Sequence, residues 1–307
     1  MGETSNIQWT DATFNPWIGC TKIDDQCDNC YAAAGNNLRK WNGGTWGPGA
    51  PRHVTSESNW LLPYKWDAEA REKGIRIKVF SASLADIFDA EAPTWPWGRR
   101  VRLGYPMNPG DKYCIPPQSE NTRDVFFKSI VAQTANIDWI VLTKRYERAE
   151  AYFSGLPRFH PHRRIWLLFS AGTQERAERA IEILSRIQVA VTGISAEPLL
   201  ERIDISTQLA RPGRPDWVIT GGESGPRARP LNLAWTRALR DQCQQAGVAY
   251  FFKQGGAKPF GFEWPAGTRF RFEEAARFAN LRDRKGGDLT ELPADLRVRM
   301  FPGERWS

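Results

Sequence analysis

"DWIVLTKR" (residues 138–145) opens on a carboxylate, runs through five apolar or β-branched side chains and closes on Lys144 and Arg145. A run so short and so continuously apolar reads as a strand buried on both faces, as in a parallel sheet. The same pattern recurs along the chain as "IKVFSAS", "RIWLLFSAG" (164–172), "QVAVTGISAEP" (188–198), "DWVITGGESG" (216–225) and "VAYFFKQGG" (248–256). Amphipathic stretches such as "TQERAERAIEILSRI" and "LAWTRALRDQCQQAG" lie between several of these runs, the second closed by Gly247 as a helix cap. If "FNPWIGC" (14–20) is a further short strand, seven βα units follow one another. The expected architecture is therefore α/β, a complete or partial (β/α) TIM-like barrel. It would occupy residues 1–256, with long loop insertions at about 36–70 and 89–122, and a C-terminal extension, 257–307, would pack on it.

The chain has 307 residues, of which 41% are hydrophobic and 25% charged, a composition of globular proteins and not of disordered ones. There is no apolar run long enough to span a bilayer, and the polar opening "MGETSNIQWTD" lacks the apolar core of a signal peptide. A cytoplasmic protein without membrane association is expected. The net charge of +7 favours a nucleotide or nucleic-acid partner. Six tryptophans, Trp41, Trp46, Trp60, Trp66, Trp95 and Trp97, fall in the two insertions, with Arg99, Arg100 and Arg102 beside them. They serve either as stacking surfaces for bases or as a satellite core under long loops. Nothing in the residues indicates an oligomeric state.

Five cysteines is an odd number, and Cys114 and Cys243 stand far from Cys20, Cys27 and Cys30, so a secreted disulfide framework fits poorly. A structural zinc site calls for four ligands, and no second pair stands near these three. A [4Fe–4S] cluster held by three thiolates leaves one iron open to an external ligand. In a (β/α) barrel the working residues stand at the carboxyl ends of the strands. Those positions hold Cys20, Ser81 with Ser83 and Asp86, Lys144 with Arg145, Ser170, Ser195 with Glu197, Glu223 with Ser224, and Lys253 with Gln254. Glu197 and Glu223 suit ribose hydroxyls or substrate protons, and Lys144 and Lys253 suit carboxylate or phosphate. The competing reading is a set of structural ion pairs.

The segments "IQWTDATFNPWIGCTKIDDQCDNCYA", "VFSASLADIF", "VLTKRYERA", "ISAEPLLERID", "ITGGESGPRARPLN" and "FFKQGG" resemble the phage-associated three-cysteine-motif family, whose function is unassigned. The clustered sulfurs are in turn similar to those of radical S-adenosylmethionine enzymes. That resemblance implies a [4Fe–4S] cluster on Cys20, Cys27 and Cys30 and S-adenosylmethionine as second cofactor. Tyr31 or Trp17 would contact the adenine, and Ser81 and Ser83 would accept the amino group. It also implies a reductant protein such as a flavodoxin or ferredoxin, and a nucleobase, nucleotide or nucleic acid as substrate. The cysteines are spaced by six residues and then two, with Asn29 and not an aromatic before Cys30, and the "GGE" of residues 221–223 ends a late strand, not the second. The alternative is a zinc-stabilised basic barrel that binds nucleic acid or a protein partner without catalysis. A hydrolase or transferase built on Glu197 or Glu223 is a third reading.

Overall fold

The computed structural model describes residues 5–96, 121–155, 161–261, 267–273 and 276–306. The chain divides into two compact units, residues 1–22 with 32–167, and residues 23–31 with 168–307. Residues 257–307, expected as an extension packed on the barrel, belong to the second unit.

Every apolar run singled out above is a strand. In the first unit β1 (Ala12–Phe14), β4 (Ile77–Ser81) and β5 (Ile137–Thr143) pair in parallel, with Phe14 opposite Ser81 and Ser81 opposite Val141. In the second, β7 (Val191–Ala196), β8 (Trp217–Gly221) and β10 (Ala249–Gln254) pair in parallel in the same way. With β6 (Ile165–Ser170) they form an α/β fold on a seven-stranded sheet of order β1-β4-β5-β6-β7-β8-β10. Smaller pairs complete the set: β2 (Trp17–Ile18) with β3 (His53–Val54), β9 (Leu231–Asn232) with β11 (Pro259–Phe260), and β12 (Phe270–Glu273) with β13 (Ala276–Ala279). The first strand differs from expectation. "FNPWIGC" is not one strand: Phe14 ends β1, Pro16 cannot donate to a ladder, and Trp17–Ile18 turns away to pair antiparallel with β3.

Helices follow the strands: α1 (Tyr31–Arg39), α2 (Glu57–Glu72), α3 (Thr122–Val125, continuing as a π-helical turn over Phe126–Val131), α4 (Tyr146–Ser154), α5 (Gln174–Leu184), α6 (Ser206–Leu209) and α7 (Leu233–Ala246). Asn232 caps α7 through Ala234 N, and Gly247 ends it in the left-handed region, a conformation that favours glycine. The first insertion is not a structureless loop, because α2 runs through Pro63, a residue that argues against a helix interior in sequence.

Trp60 lies on that helix, edge-on to Phe14 at 5.3 Å and to Trp95 at 4.7 Å. Phe14 and Phe126 also meet Trp139 edge-on, and all five rings are buried. Trp66 is buried as well. These insertion tryptophans are core, so the stacking-surface reading does not hold for Trp60, Trp66 and Trp95. Trp41 and Trp46 are half-buried, while Trp97, Arg99, Arg100, Arg102 and Cys114 lie outside the described residues. In the second unit Trp217 packs against Phe251 and Phe301, and its Nε1 donates to the Met300 carbonyl at 2.8 Å, which ties the chain's last segment into the core. Among the described residues no helix is long and apolar enough to cross a membrane.

Candidate functional site

In the first unit the segments after β1, β4 and β5 meet in a charged, buried knot. Asp86 accepts hydrogen bonds from the Thr143 hydroxyl at 2.7 Å and the Phe88 and Lys144 amides at 2.9 and 3.1 Å, and it pairs with Arg145 Nη1 at 2.9 Å. Asp89 pairs with Arg145 at 3.5 Å and with Arg52 at 3.0 Å. All four side chains are buried. Charges taken from water are tolerable only when paired in this way. The knot grips the first cysteine: Arg145 donates to the Cys20 sulfur at 3.7 Å and to the Thr21 carbonyl at 2.9 Å, and Arg52 donates to the Thr21 hydroxyl at 2.6 Å. Burial, followed by the Asp86 charge, pushes the Cys20 thiol up to about 12, with Arg145 acting in the opposite direction.

Of the other residues expected here, Ser83 exchanges hydrogen bonds with the Asn15 amide at 2.9 and 3.2 Å. Ser81 is fully buried, and its hydroxyl has no protein partner. Lys144 is half-buried. Trp17 has no exposed surface at all, which removes it as an adenine contact and leaves Tyr31, 57% exposed at the start of α1.

In the second unit Glu197 stands just past β7. Its Oε1 pairs with Lys253 Nζ at 3.1 Å and its Oε2 accepts from the Ser195 hydroxyl at 3.1 Å. Gly221 ends β8 beside it, and a Cβ there would lie 2.7 Å from Glu197 Oε1, so the first glycine of "GGE" makes room for this carboxylate. Glu223 is engaged at both oxygens. Arg229 contacts Oε1 with its guanidinium and donates to Oε2 from its backbone at 2.8 Å, and Asn29 Nδ2 donates to Oε2 at 2.9 Å. Burial raises the Glu223 carboxyl, but the bonds from Arg229 and Asn29 outweigh it and hold it below the usual range.

Cys27 and Cys30 lie in this unit, Cys27 as the last residue of a single 3₁₀ turn (Asp25–Cys27) and Cys30 directly before α1. Cys27 donates to Asp24 Oδ1 at 3.5 Å. Cys20, Cys27 and Cys30 are in no disulfide and half-buried, whereas Cys243 is fully buried on α7, where burial alone raises its thiol. Among the described residues no three His, Cys, Asp or Glu side chains are gathered as a ready metal site. The donor type is that of a thiolate-bound centre: three cysteines fall within eleven residues of sequence, and the buried guanidinium of Arg145 donates to the first of them.

Arg52, Asp89, Gln26 and Arg229 did not stand out in the sequence, and Asn29 did so only as a departure from an aromatic before Cys30. Only Arg229, in a run of Arg and Pro just after "GGES", carried a signal, as a charge next to an acid at a strand end. Comparison with known proteins returns no matching curated protein and no matching solved structure. A family model described as a protein of unknown function, DUF5131, matches residues 4–115 and 116–291. The chain belongs to that family.

Proposed function

We propose that this protein is a radical S-adenosylmethionine-type iron–sulfur enzyme on a partial (β/α) barrel, and that it modifies or repairs a nucleobase, nucleotide or nucleic acid. The observation that carries this reading is the trio of half-buried cysteines, in no disulfide, just past the first strand, with Arg145 donating to Cys20. When bound, a [4Fe–4S] cluster with S-adenosylmethionine supplies a 5′-deoxyadenosyl radical, using one electron from a flavodoxin- or ferredoxin-type donor and releasing methionine.

The chain's own residues then divide the work. Cys20, Cys27 and Cys30 are the ligands, and Arg145 offsets negative charge beside Cys20. Of the two serines expected to accept the cofactor's amino group, Ser81 has no exposed surface and the half-buried Ser83 carries that role, and the exposed ring of Tyr31 is a stacking face for adenine. Glu197, oriented by Lys253 and Ser195, is placed to accept hydrogen bonds from ribose or substrate. The net charge of +7 supports a polyanionic substrate, and it supports equally the second reading, a zinc-stabilised basic protein that binds nucleic acid or a protein partner without catalysis.

Anaerobic reconstitution with iron and sulfide separates the two. The expected product is brown, holds about four irons per chain, loses them in Cys20→Ala, Cys27→Ala or Cys30→Ala, and forms 5′-deoxyadenosine from S-adenosylmethionine when reduced. One zinc and no iron under the same conditions would overturn the iron–sulfur reading in favour of the zinc one.

A further inference from the structure

Residues 23–31 belong to the second unit although the sequence on both sides belongs to the first. Little within the segment holds it in place. Its internal bonds include one short turn, with Cys27 N donating to the Asp24 carbonyl at 3.0 Å, Asp28 N to the Asp25 carbonyl at 3.2 Å and Cys30 N to the Cys27 carbonyl at 3.3 Å, and a bond from Cys27 Sγ to Asp24 Oδ1 at 3.5 Å. The restraint comes from residues distant in sequence. Arg176, on α5, pairs with Asp24 at 3.1 Å, and the buried Gln26 amide donates to the Glu197 carbonyl at 3.1 Å. Arg229 donates to the Asp25 carbonyl at 2.8 Å and reaches Asp28 at 3.6 Å. Asn29 donates to Glu223 and to the Arg227 carbonyl, each at 2.9 Å.

Glu223 and Arg229 are the centre of this arrangement. Arg229 touches the segment on the near side of Cys27 at Asp25 and between the cysteines at Asp28, and Glu223 fixes both Arg229 and Asn29, the residue before Cys30. A carboxylate whose two oxygens already accept these donors, at a depressed affinity for protons, has no free lone pair aimed at a substrate. Its position at the end of β8 is where a catalytic acid would be sought, yet its partners all lead to the cysteine segment or to Arg229.

We propose that Glu223 and Arg229 are positioning residues that hold Cys27 and Cys30 in place in the metal-free chain, rather than acid–base catalysts. This rests on the reading that those two cysteines ligate a metal. Ordering the ligands before the metal arrives removes an entropic cost from metal uptake. It also explains why a segment with so little secondary structure carries two ligands.

The test is made on the metal-free full-length chain, with iodoacetamide and mass spectrometry reading each cysteine separately. Glu223→Ala and Arg229→Met should raise the alkylation rates of Cys27 and Cys30 by about tenfold through local opening, with Cys20 keeping its rate. Glu223→Gln, which retains an acceptor for Asn29 but not the charge, should give a smaller rise. It also serves as the working variant if the other two do not fold. In competition with a chelator, the same variants should lose added Zn²⁺ in the same order. Unchanged Cys27 and Cys30 rates in folded variants overturn the proposal, as does an equal rise at Cys20. Because the alkylation is read without metal, finding zinc in place of iron would overturn the iron–sulfur reading and leave this one standing.

Discussion

Arg145 Nη1 lies 3.7 Å from the Cys20 sulfur and 2.9 Å from Asp86 Oδ2, so one guanidinium nitrogen serves a thiol and a carboxylate together. The thiol is held protonated at neutral pH by burial and by Asp86, and only Arg145 favours its ionisation. In metal-free protein Cys20 should therefore react slowly with iodoacetamide at pH 8. Its rate should climb about tenfold per pH unit, well past the ordinary cysteine range near 8.5, because the thiolate is the nucleophile. Removing Arg145 should slow it further. A Cys20 that reacts at pH 8 as fast as a free thiol would contradict this account.

The same arginine bears on stability. Replacing it with Met leaves Asp86 and Asp89 buried beside fewer positive charges, and breaking a buried pair from one side costs about 3 kcal/mol or more. Asp89 keeps Arg52, and Asp86 keeps its three neutral donors, which places the loss nearer the lower end of that range. Urea midpoints at constant slope are the measurement. Arg145→Lys retains the charge but not the planar reach to Cys20, Thr21 and Asp86, so it should fall between wild type and Met.

Acid should expose the role of Glu223. Its carboxyl is held below the ordinary value near 4.3 by Arg229 and Asn29 against the opposing effect of burial. A carboxylate depressed in the folded chain contributes stability that is present above the unfolded value and disappears as pH falls through the folded one. The wild type should lose this contribution as pH falls below about 5. Glu223→Gln should be less stable at pH 7 and show a shallower loss over the same acid range. Parallel curves for the two proteins would mean that Glu223 ionises alike in folded and unfolded chains.

The strands were legible because each is a continuous apolar run between turns, and all six long runs form parallel strands. The sequence misled where one residue argued against its surroundings. Pro63 concealed α2, and Trp17, adjacent to the cysteine segment, looked like a binding ring while packing wholly inside. Cys20, Cys27 and Cys30 were visible from spacing alone. Their pairing with distant supports was not, since Arg145 and Glu223 stood out only as strand-end residues, whereas Arg145 reaches Cys20 across 125 residues and Glu223 reaches Asn29 across 194. Long-range ion pairs between exposed-looking residue types leave no periodicity to read.

Glu197 differs from Glu223 in the partners it has. Its carboxylate meets Lys253, from the end of β10, and the hydroxyl of Ser195 two residues back, and none of these belongs to the cysteine segment. Both members of the ion pair retain some exposure, so the pair should be worth less than a fully buried one. A double-mutant cycle with Glu197→Gln and Lys253→Met should return a coupling of about 1 kcal/mol. If Glu197 holds ribose or substrate, Lys253→Met should leave folding nearly intact while weakening S-adenosylmethionine or nucleotide binding, because the carboxylate loses its fixed orientation. The iron content after reconstitution should not change in either variant, since the Glu197 carboxylate is engaged by Lys253 and Ser195. Loss of iron in Glu197→Gln would place this carboxylate with the cysteine segment, through the carbonyl that Gln26 grips, and would remove it from the substrate side of the site.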